Sequence, residues 1–120
     1  MEPSLFMNID KILAHISCSD LAQSSDWYSR LFGRQHDVSP MDTLHEWHHG
    51  QNTGLQLFLN AKAAGKSTVT LVVSDLDANR QLFVDHQLEP GEIEEGDSAR
   101  FVRLYDPDGN LVVIAQPKQN

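Results

Sequence analysis

The hydrophobic positions in the first half of the chain change period where a first strand is followed by a helix. Residues 12–18 alternate between apolar and polar side chains, which is typical of a half-buried β-strand. Residues 20–33 then place apolar side chains at helical spacing, with Asp20 suited to cap the N-terminus and Gly33 suited to end the helix. Three further strands are predicted after this helix, at about 34–39, 43–49 and 54–60.

The second half repeats the same order of elements. Placing Asp20 on Asp75 sets an offset of 75 − 20 = 55 residues, close to half of the 120-residue chain, and superimposes two Ser-Asp-Leu stretches. A second helix is expected from Asp75 or Asp77 to about His86. The strands of this half are predicted at 68–73, 92–95, 99–105 and 110–116.

A repeat of this length indicates a duplicated supersecondary unit. The order is β-α-β-β-β, twice, which predicts an α+β fold. We expect a single domain spanning residues 1–120, with module one at about 9–60, a polar linker at 61–67 and module two at about 68–117.

The alternation also assigns two faces to each predicted sheet. One face is uniformly aliphatic, as at Leu55 and Leu57, and should pack under the helices. Such a pairing of a dry face with a mixed, aromatic-rich face suggests a curled sheet around a ligand cavity, although a solvated outer face remains open as the alternative. The mixed face carries His15, Gln56, Phe58, Thr68, Thr70, Phe101, Arg103, Tyr105, Leu111 and Val113.

The net charge and the cysteine content limit which binding partners and which cellular compartment are expected for the protein. The net charge of −8 argues against nucleic acid or a membrane surface as a partner, because both require clustered Lys and Arg. The single cysteine, Cys18, excludes an internal disulfide and fits a reducing compartment. We find no secretory signal and no apolar run of about 20 residues, so a cytoplasmic protein is expected.

Three segments in the right order resemble the glyoxalase I, bleomycin-resistance and extradiol-dioxygenase group, which forms the vicinal-oxygen-chelate superfamily. They are "SDLAQSSDWYSRLFG", "VVSDLDANRQLF" and "YDPDGNLVVIAQ", and the resemblance extends over about residues 11–116. It implies paired βαβββ modules that form a curled mixed β-sheet around a cavity, in agreement with the periods and faces above. It also implies a homodimer with clefts formed between subunits.

The resemblance implies metal ligands on the first and last strand of each module in the metal-dependent members. The corresponding positions here are Leu13, Gln56, Thr68 and Val113. One amide among these side chains does not make a divalent-cation site, so no metal and no other cofactor is expected. A shifted register would pair His15 with Gln56, but the second module then offers only Thr68 or Thr70.

The segment "HEWHHG" concentrates three of the six histidines. On a strand, His45, Trp47 and His49 share one face, whereas Glu46 and His48 share the other. Solvated or hydrogen-bonded histidines are expected rather than a metal site. Trp47 facing the cavity would form a stacking platform for a planar ligand, and packing in the core is an equal alternative.

These observations favour a metal-free module that binds a small molecule, without an assigned catalytic residue. Arg103 could then pair with a carboxylate or phosphate on the ligand. Two alternatives stay open: a glyoxalase-like lyase, isomerase or dioxygenase with an atypical metal site or none, using His15 or Tyr105 as acid or base, and an interaction domain with a vestigial pocket. The predicted ligand-binding residues are His15, Trp47, Gln56, Phe58, Phe101, Arg103 and Tyr105.

Overall fold

Each half of the chain forms four strands and one helix in a computed structural model that describes residues 6–119. The α+β class and the two βαβββ modules predicted from the sequence are therefore confirmed. Module one contains β1 (Ile12–Cys18), α1 (Leu21–Phe32), β2 (Val38–Met41), β3 (Leu44–His49) and β4 (Thr53–Leu59). Module two contains β5 (Thr68–Val72), α2 (Leu76–Asp85), β6 (Glu94–Glu95), β7 (Ala99–Tyr105) and β8 (Leu111–Pro117).

The strands form two separate four-stranded sheets, one for each module. Their orders are β1-β4-β3-β2 and β5-β8-β7-β6. The first strand of each module runs parallel to the last, and the other pairs are antiparallel. Both β1 and β5 consequently lie at open sheet edges, where one side of the backbone has no neighbouring strand.

The repeated Ser-Asp-Leu stretches are the corners at which a strand turns into a helix. The carboxylate of Asp20 accepts a hydrogen bond of 3.0 Å from the Gln23 amide, and Asp75 does the same for Ala78 at 3.0 Å. Gly33 ends α1 with φ of 73°, a left-handed conformation that glycine adopts without strain. The second helix begins after Asp75, so Asp77 lies in its first turn.

One hydrophobic core joins the two modules. The aliphatic faces of both sheets and the inner sides of both helices contribute to a single cluster of buried side chains. Cys18 lies in this core, where burial and then the charge of Asp108 raise the pKa of its thiol to about 11. Among residues 6–119 no helix is long and apolar enough to cross a membrane.

The strand β2 begins four residues later than its predicted start at residue 34. Arg34 forms an ion pair of 2.7 Å with Asp37, and the backbone amide of Arg34 donates to the Ser29 carbonyl. Asp37 in turn accepts a hydrogen bond of 2.6 Å from the His48 amide. These contacts hold residues 34–37 in a loop, so that pairing with β3 starts only at Val38.

Asp106 fixes the last turn of module two to module one. Its carboxylate accepts hydrogen bonds of 2.8 Å from the Tyr28 hydroxyl and 2.8 Å from the Asn110 side-chain amide. That amide also donates to the Ser17 carbonyl at 3.0 Å. Burial, and then the charge of Asp106, raise the pKa of Tyr28 well above its ordinary range, so the phenol remains a donor.

A second contact, between β3 and both α1 and the loop 34–37 that follows it, involves two stacked imidazoles. The rings of His36 and His45 lie 3.8 Å apart and nearly parallel, and Nδ1 of His45 is 2.8 Å from Oγ of Ser25. Burial, and then the charge of His36, lower the pKa of His45 below its ordinary value. The packing between α1 and β3 therefore favours the neutral form of His45.

We expect Tyr28→Phe to lower the free energy of unfolding by about 1–2 kcal/mol, because it removes a buried hydrogen-bond donor from an ionised carboxylate. The matched control is Tyr105→Phe, since the Tyr105 side chain is 58% exposed. Urea denaturation of both variants at neutral pH checks this prediction. Equal losses in the two variants would contradict the role assigned to the Tyr28–Asp106 contact.

Stability should also fall as the pH drops from 7.5 to 5.5. Because the pKa of His45 is lower in the folded than in the unfolded chain, the folded state binds fewer protons below about pH 6.5, the ordinary value for histidine. We expect His45→Gln to reduce this pH dependence, whereas His15→Gln, at an exposed imidazole, should retain it. Urea denaturation across this pH range measures the slope, and an unchanged slope in His45→Gln would contradict the prediction.

Candidate functional site

The strand register places three polar side chains side by side on the mixed face of module one. His15 on β1 lies beside Gln56 on β4, and Gln56 lies beside Glu46 on β3. His15, rather than Leu13, is therefore the β1 residue paired with Gln56. Leu13 instead lies over Gly54, where a Cβ atom would come within 2.7 Å of the Leu13 side chain.

These side chains form a continuous row of hydrogen bonds, here called the polar chain, which consists of His15, Gln56, Glu46 and His48. Nδ1 of His15 is 3.1 Å from Oε1 of Gln56. Nε2 of Gln56 donates to Oε2 of Glu46 at 2.7 Å, and Nε2 of His48 is 3.1 Å from Oε1 of Glu46. Phe58 borders the row, with its ring centroid 5.7 Å from that of His15.

Glu46 is the charged centre of the polar chain. The hydrogen bond from Gln56 contributes most to lowering the pKa of this carboxyl below its ordinary value, and the hydrogen bond and charge of His48 lower it further. The side chain is almost fully buried although it belongs to the mixed face. An ionised carboxylate is therefore held inside the face by hydrogen bonds from its two neighbours.

The mixed face of module two carries the aromatic patch, which consists of Phe101, Arg103 and Tyr105. The Arg103 guanidinium carbon lies 5.6 Å from the centroid of the Phe101 ring, within the range of a cation–π interaction. Nε of Arg103 is 3.1 Å from a carboxylate oxygen of Glu94. Arg103 therefore already has an anionic partner within the chain, and Tyr105 projects into solvent. The neighbouring positions on this face are Thr68, Thr70, Leu111 and Val113.

The polar chain and the aromatic patch lie on different sheets. Within the part of the chain that the structure describes, no hydrogen bond, ion pair or ring contact connects them. A groove of about 570 Å³ lies elsewhere, between the open edges of β1 and β5. It is lined mainly by residues of the aliphatic faces, including Ile12, Ala14, Leu55, Val69 and Leu71.

The prediction that Trp47 faces the cavity is wrong. Trp47 is 0% exposed and lies beside Leu55, on the aliphatic face of the sheet. Its indole donates a hydrogen bond of 3.0 Å to the Arg34 carbonyl, and its ring packs against Tyr28 and Phe32. The alternation along β3 was recognised correctly, but the pairing of β3 with β4 decides which of its two faces is buried.

Sequence reasoning did not select Glu46 and His48 as site residues. The signal that could have identified them is the three-residue turn 50–52, which pairs His49 with Thr53. From that pair, the antiparallel register places Glu46 beside Gln56. The length of this turn sets the register between β3 and β4, and the register shows which residues of β3 lie on the same face as Gln56.

The metal positions of the superfamily do not fit a divalent ion in this chain. Leu13, Thr68 and Val113 offer no carboxylate, imidazole or thiolate, and both amide atoms of Gln56 are engaged by His15 and Glu46. Across residues 6–119 no group of three or more His, Cys, Asp or Glu side chains is arranged to hold a metal ion. We therefore derive no chemistry through a metal.

Comparisons with known proteins give matches among solved structures. Neither a protein-family model nor a curated protein matches the sequence. A glyoxalase/bleomycin-resistance protein from Catenulispora acidiphila is 25% identical, with a TM-score of 0.84 over 90% of this chain and 98% of that one. An antibiotic-binding protein from Streptomyces sp. CB03234 is 20% identical, with a TM-score of 0.79 over 97% of this chain and all (100%) of that one.

The same architecture is found in an enzyme. A lactoylglutathione lyase from Agrobacterium tumefaciens is 17% identical, with a TM-score of 0.73 over 96% of each chain. Because binding proteins and an enzyme share this architecture, the overall fold alone does not distinguish the two functions. The chain has the fold of the glyoxalase/bleomycin-resistance proteins, which confirms the resemblance of its sequence to the vicinal-oxygen-chelate superfamily.

Proposed function

We propose that this glyoxalase/bleomycin-resistance-like protein binds a small organic molecule on the mixed faces of its sheets, without a resident metal ion. The observation that carries this proposal is the polar chain, in which a buried carboxylate is hydrogen-bonded to two neighbours on the mixed face. The antibiotic-binding neighbour from Streptomyces supports the same class of function.

A merely solvated outer face does not account for this arrangement. A glutamate on such a face keeps its carboxylate in water, because removing the charge from water is costly without strong partners. Glu46 is instead enclosed and oriented, and an exposed aromatic side chain, Tyr105, lies on the corresponding face of module two. Ordered polar groups beside apolar surface are typical of sites that fix the orientation of a ligand.

The binding cavity is expected to be completed by a second copy of the chain. Each module leaves its mixed face open, and the edge strands β1 and β5 carry apolar side chains that are largely exposed, Ile12 at 67% and Val72 at 68%. Pairing β1 of one copy with β5 of another would join their sheets and satisfy both edges. It would also bring the polar chain of one copy near the aromatic patch of the other.

The location that we propose is the cytoplasm. Cys18 is the only cysteine and is buried as a free thiol, which supports a reducing compartment.

The proposed dimer predicts that the native protein sediments with the mass of two chains. Ile12→Asp should shift the equilibrium toward single chains, because it places a charge at the open edge of β1. The matched control is Leu82→Asp, at an exposed leucine on α2 away from both edges. Analytical ultracentrifugation checks this, and a single-chain mass for the unmodified protein would refute the dimer.

Ligand binding predicts a rise in the melting temperature with a subset of compounds in a small-molecule screen, and recovery of those compounds unchanged by mass spectrometry. We expect Gln56→Ala to abolish the rise, because it breaks the polar chain between His15 and Glu46. Gln81→Ala, on the exposed side of α2, is the matched control and should respond as the unmodified protein does.

Other outcomes of the same experiment would contradict the proposal. Conversion of a compound would establish an enzyme. Near-stoichiometric retention of Mn, Fe, Ni or Zn that is lost in Gln56→Ala would contradict the metal-free site and favour the enzyme over the binding module. A protein that responds to no compound but captures another protein would be an interaction domain.

A further inference from the structure

Glu46 determines the direction of the hydrogen bonds in the polar chain. An ionised carboxylate can only accept hydrogen bonds. The atom of Gln56 that lies 2.7 Å from Glu46 must therefore be its amide nitrogen, and Nε2 of His48, at 3.1 Å, must carry a proton. The orientation of one amide and the tautomer of one imidazole thus follow from a single charge.

The orientation of Gln56 also determines which nitrogen of His15 carries a proton. Because Gln56 turns its amino group toward Glu46, it presents its carbonyl oxygen to His15. A carbonyl oxygen also only accepts, so Nδ1 of His15 carries the proton of this 3.1 Å contact. In a neutral imidazole the other nitrogen has a free lone pair, which leaves Nε2 of His15 and Nδ1 of His48 as acceptors.

The groups around these acceptors are mostly negative or neutral. Glu46 lies between the two imidazoles. The cations that lower the pKa of Glu46 are a protonated His48 and, as the smallest contribution, Lys11, so that Lys11 remains when His48 is neutral. On module two, Arg103 is paired with Glu94. The polar chain therefore combines free lone pairs on an exposed and a partly exposed imidazole with a fixed negative charge, which attracts a donor and repels an anion.

We propose that the polar chain recognises a cationic hydrogen-bond-donating group of the ligand, an amidine, guanidine or protonated amine, through Nε2 of His15 and Nδ1 of His48. Glu46 is a positioning residue in this scheme, since it sets both tautomers and supplies the charge. The inference rests on the proposed function and names the class of ligand. It differs from the prediction that Arg103 pairs with a carboxylate or phosphate of the ligand, which stays a prediction for module two.

The tautomers are tested by long-range ¹H–¹⁵N NMR of the imidazole nitrogens in the full-length protein at pH 8. We expect the proton on Nδ1 of His15 and on Nε2 of His48. Glu46→Gln should change at least one of these signatures, because the replacement amide can donate as well as accept. Glu92→Gln, at a carboxylate that is 95% exposed, is the matched control and should leave both unchanged. The opposite tautomers in the unmodified protein would overturn the proposal.

The ligand class is tested with three probes that share one ring: benzamidine, benzoate and benzamide. Benzamidine should shift the NMR resonances of His15 and His48 at the lowest concentration. Glu46→Gln should weaken that binding by about tenfold, because it removes the negative charge beside the two acceptors and the constraint on their tautomers, whereas Glu92→Gln should not change it.

Two results would overturn this inference and are distinguishable from failure of the proposed function. Stronger binding of benzoate or benzamide at the same residues would reject the cationic class while leaving small-molecule binding by this face in place. No response at these residues to any of the three probes would also reject the inference, and the thermal screen would then decide the proposed function separately.

Discussion

The carboxylate of Asp106 is the point on which the relation of the two modules depends. It is buried between the last turn of module two and helix α1, and it is held by the Tyr28 hydroxyl and the Asn110 amide. A buried charge is tolerated only where such partners surround it, so the contact has one stable geometry. The shared hydrophobic core lies between the sheets whose relative positions these hydrogen bonds help to restrict.

Because the aliphatic faces of both sheets pack in the shared core, the mixed faces lie on the outside of the molecule. The aliphatic sides of both sheets are used to bury the helices, so the polar chain and the aromatic patch lie on separate surfaces with open edge strands. On one surface a buried Glu46 orders its neighbours into a directional row, and on the other Arg103 forms an ion pair with Glu94. Two faces of unlike chemistry are thus available for one ligand, provided that a second chain brings them together.

Much of the fold could be predicted because its signals are local. The change from a period of two to a helical period, together with Asp20, Asp75 and Gly33 as end signals, defined the elements to within a few residues. The loop before β2 was missed because it is held by Arg34 and Asp37 contacts that no periodicity records. His15, Gln56 and Phe58 were assigned to the correct face because the alternate residues of their strands, such as Ile16 and Leu57, are aliphatic and mark the buried side.

By itself, the sequence determined the duplicated βαβββ architecture, the helix ends and the absence of metal-ligand side chains at three of the four superfamily positions. Only the tertiary structure decided that Trp47 belongs to the core and that Glu46 and His48 join the mixed face. The physical reason is that alternation fixes which residues share a face but not which face is buried. That choice depends on the register with a neighbouring strand, and a shift of one residue exchanges the two sides.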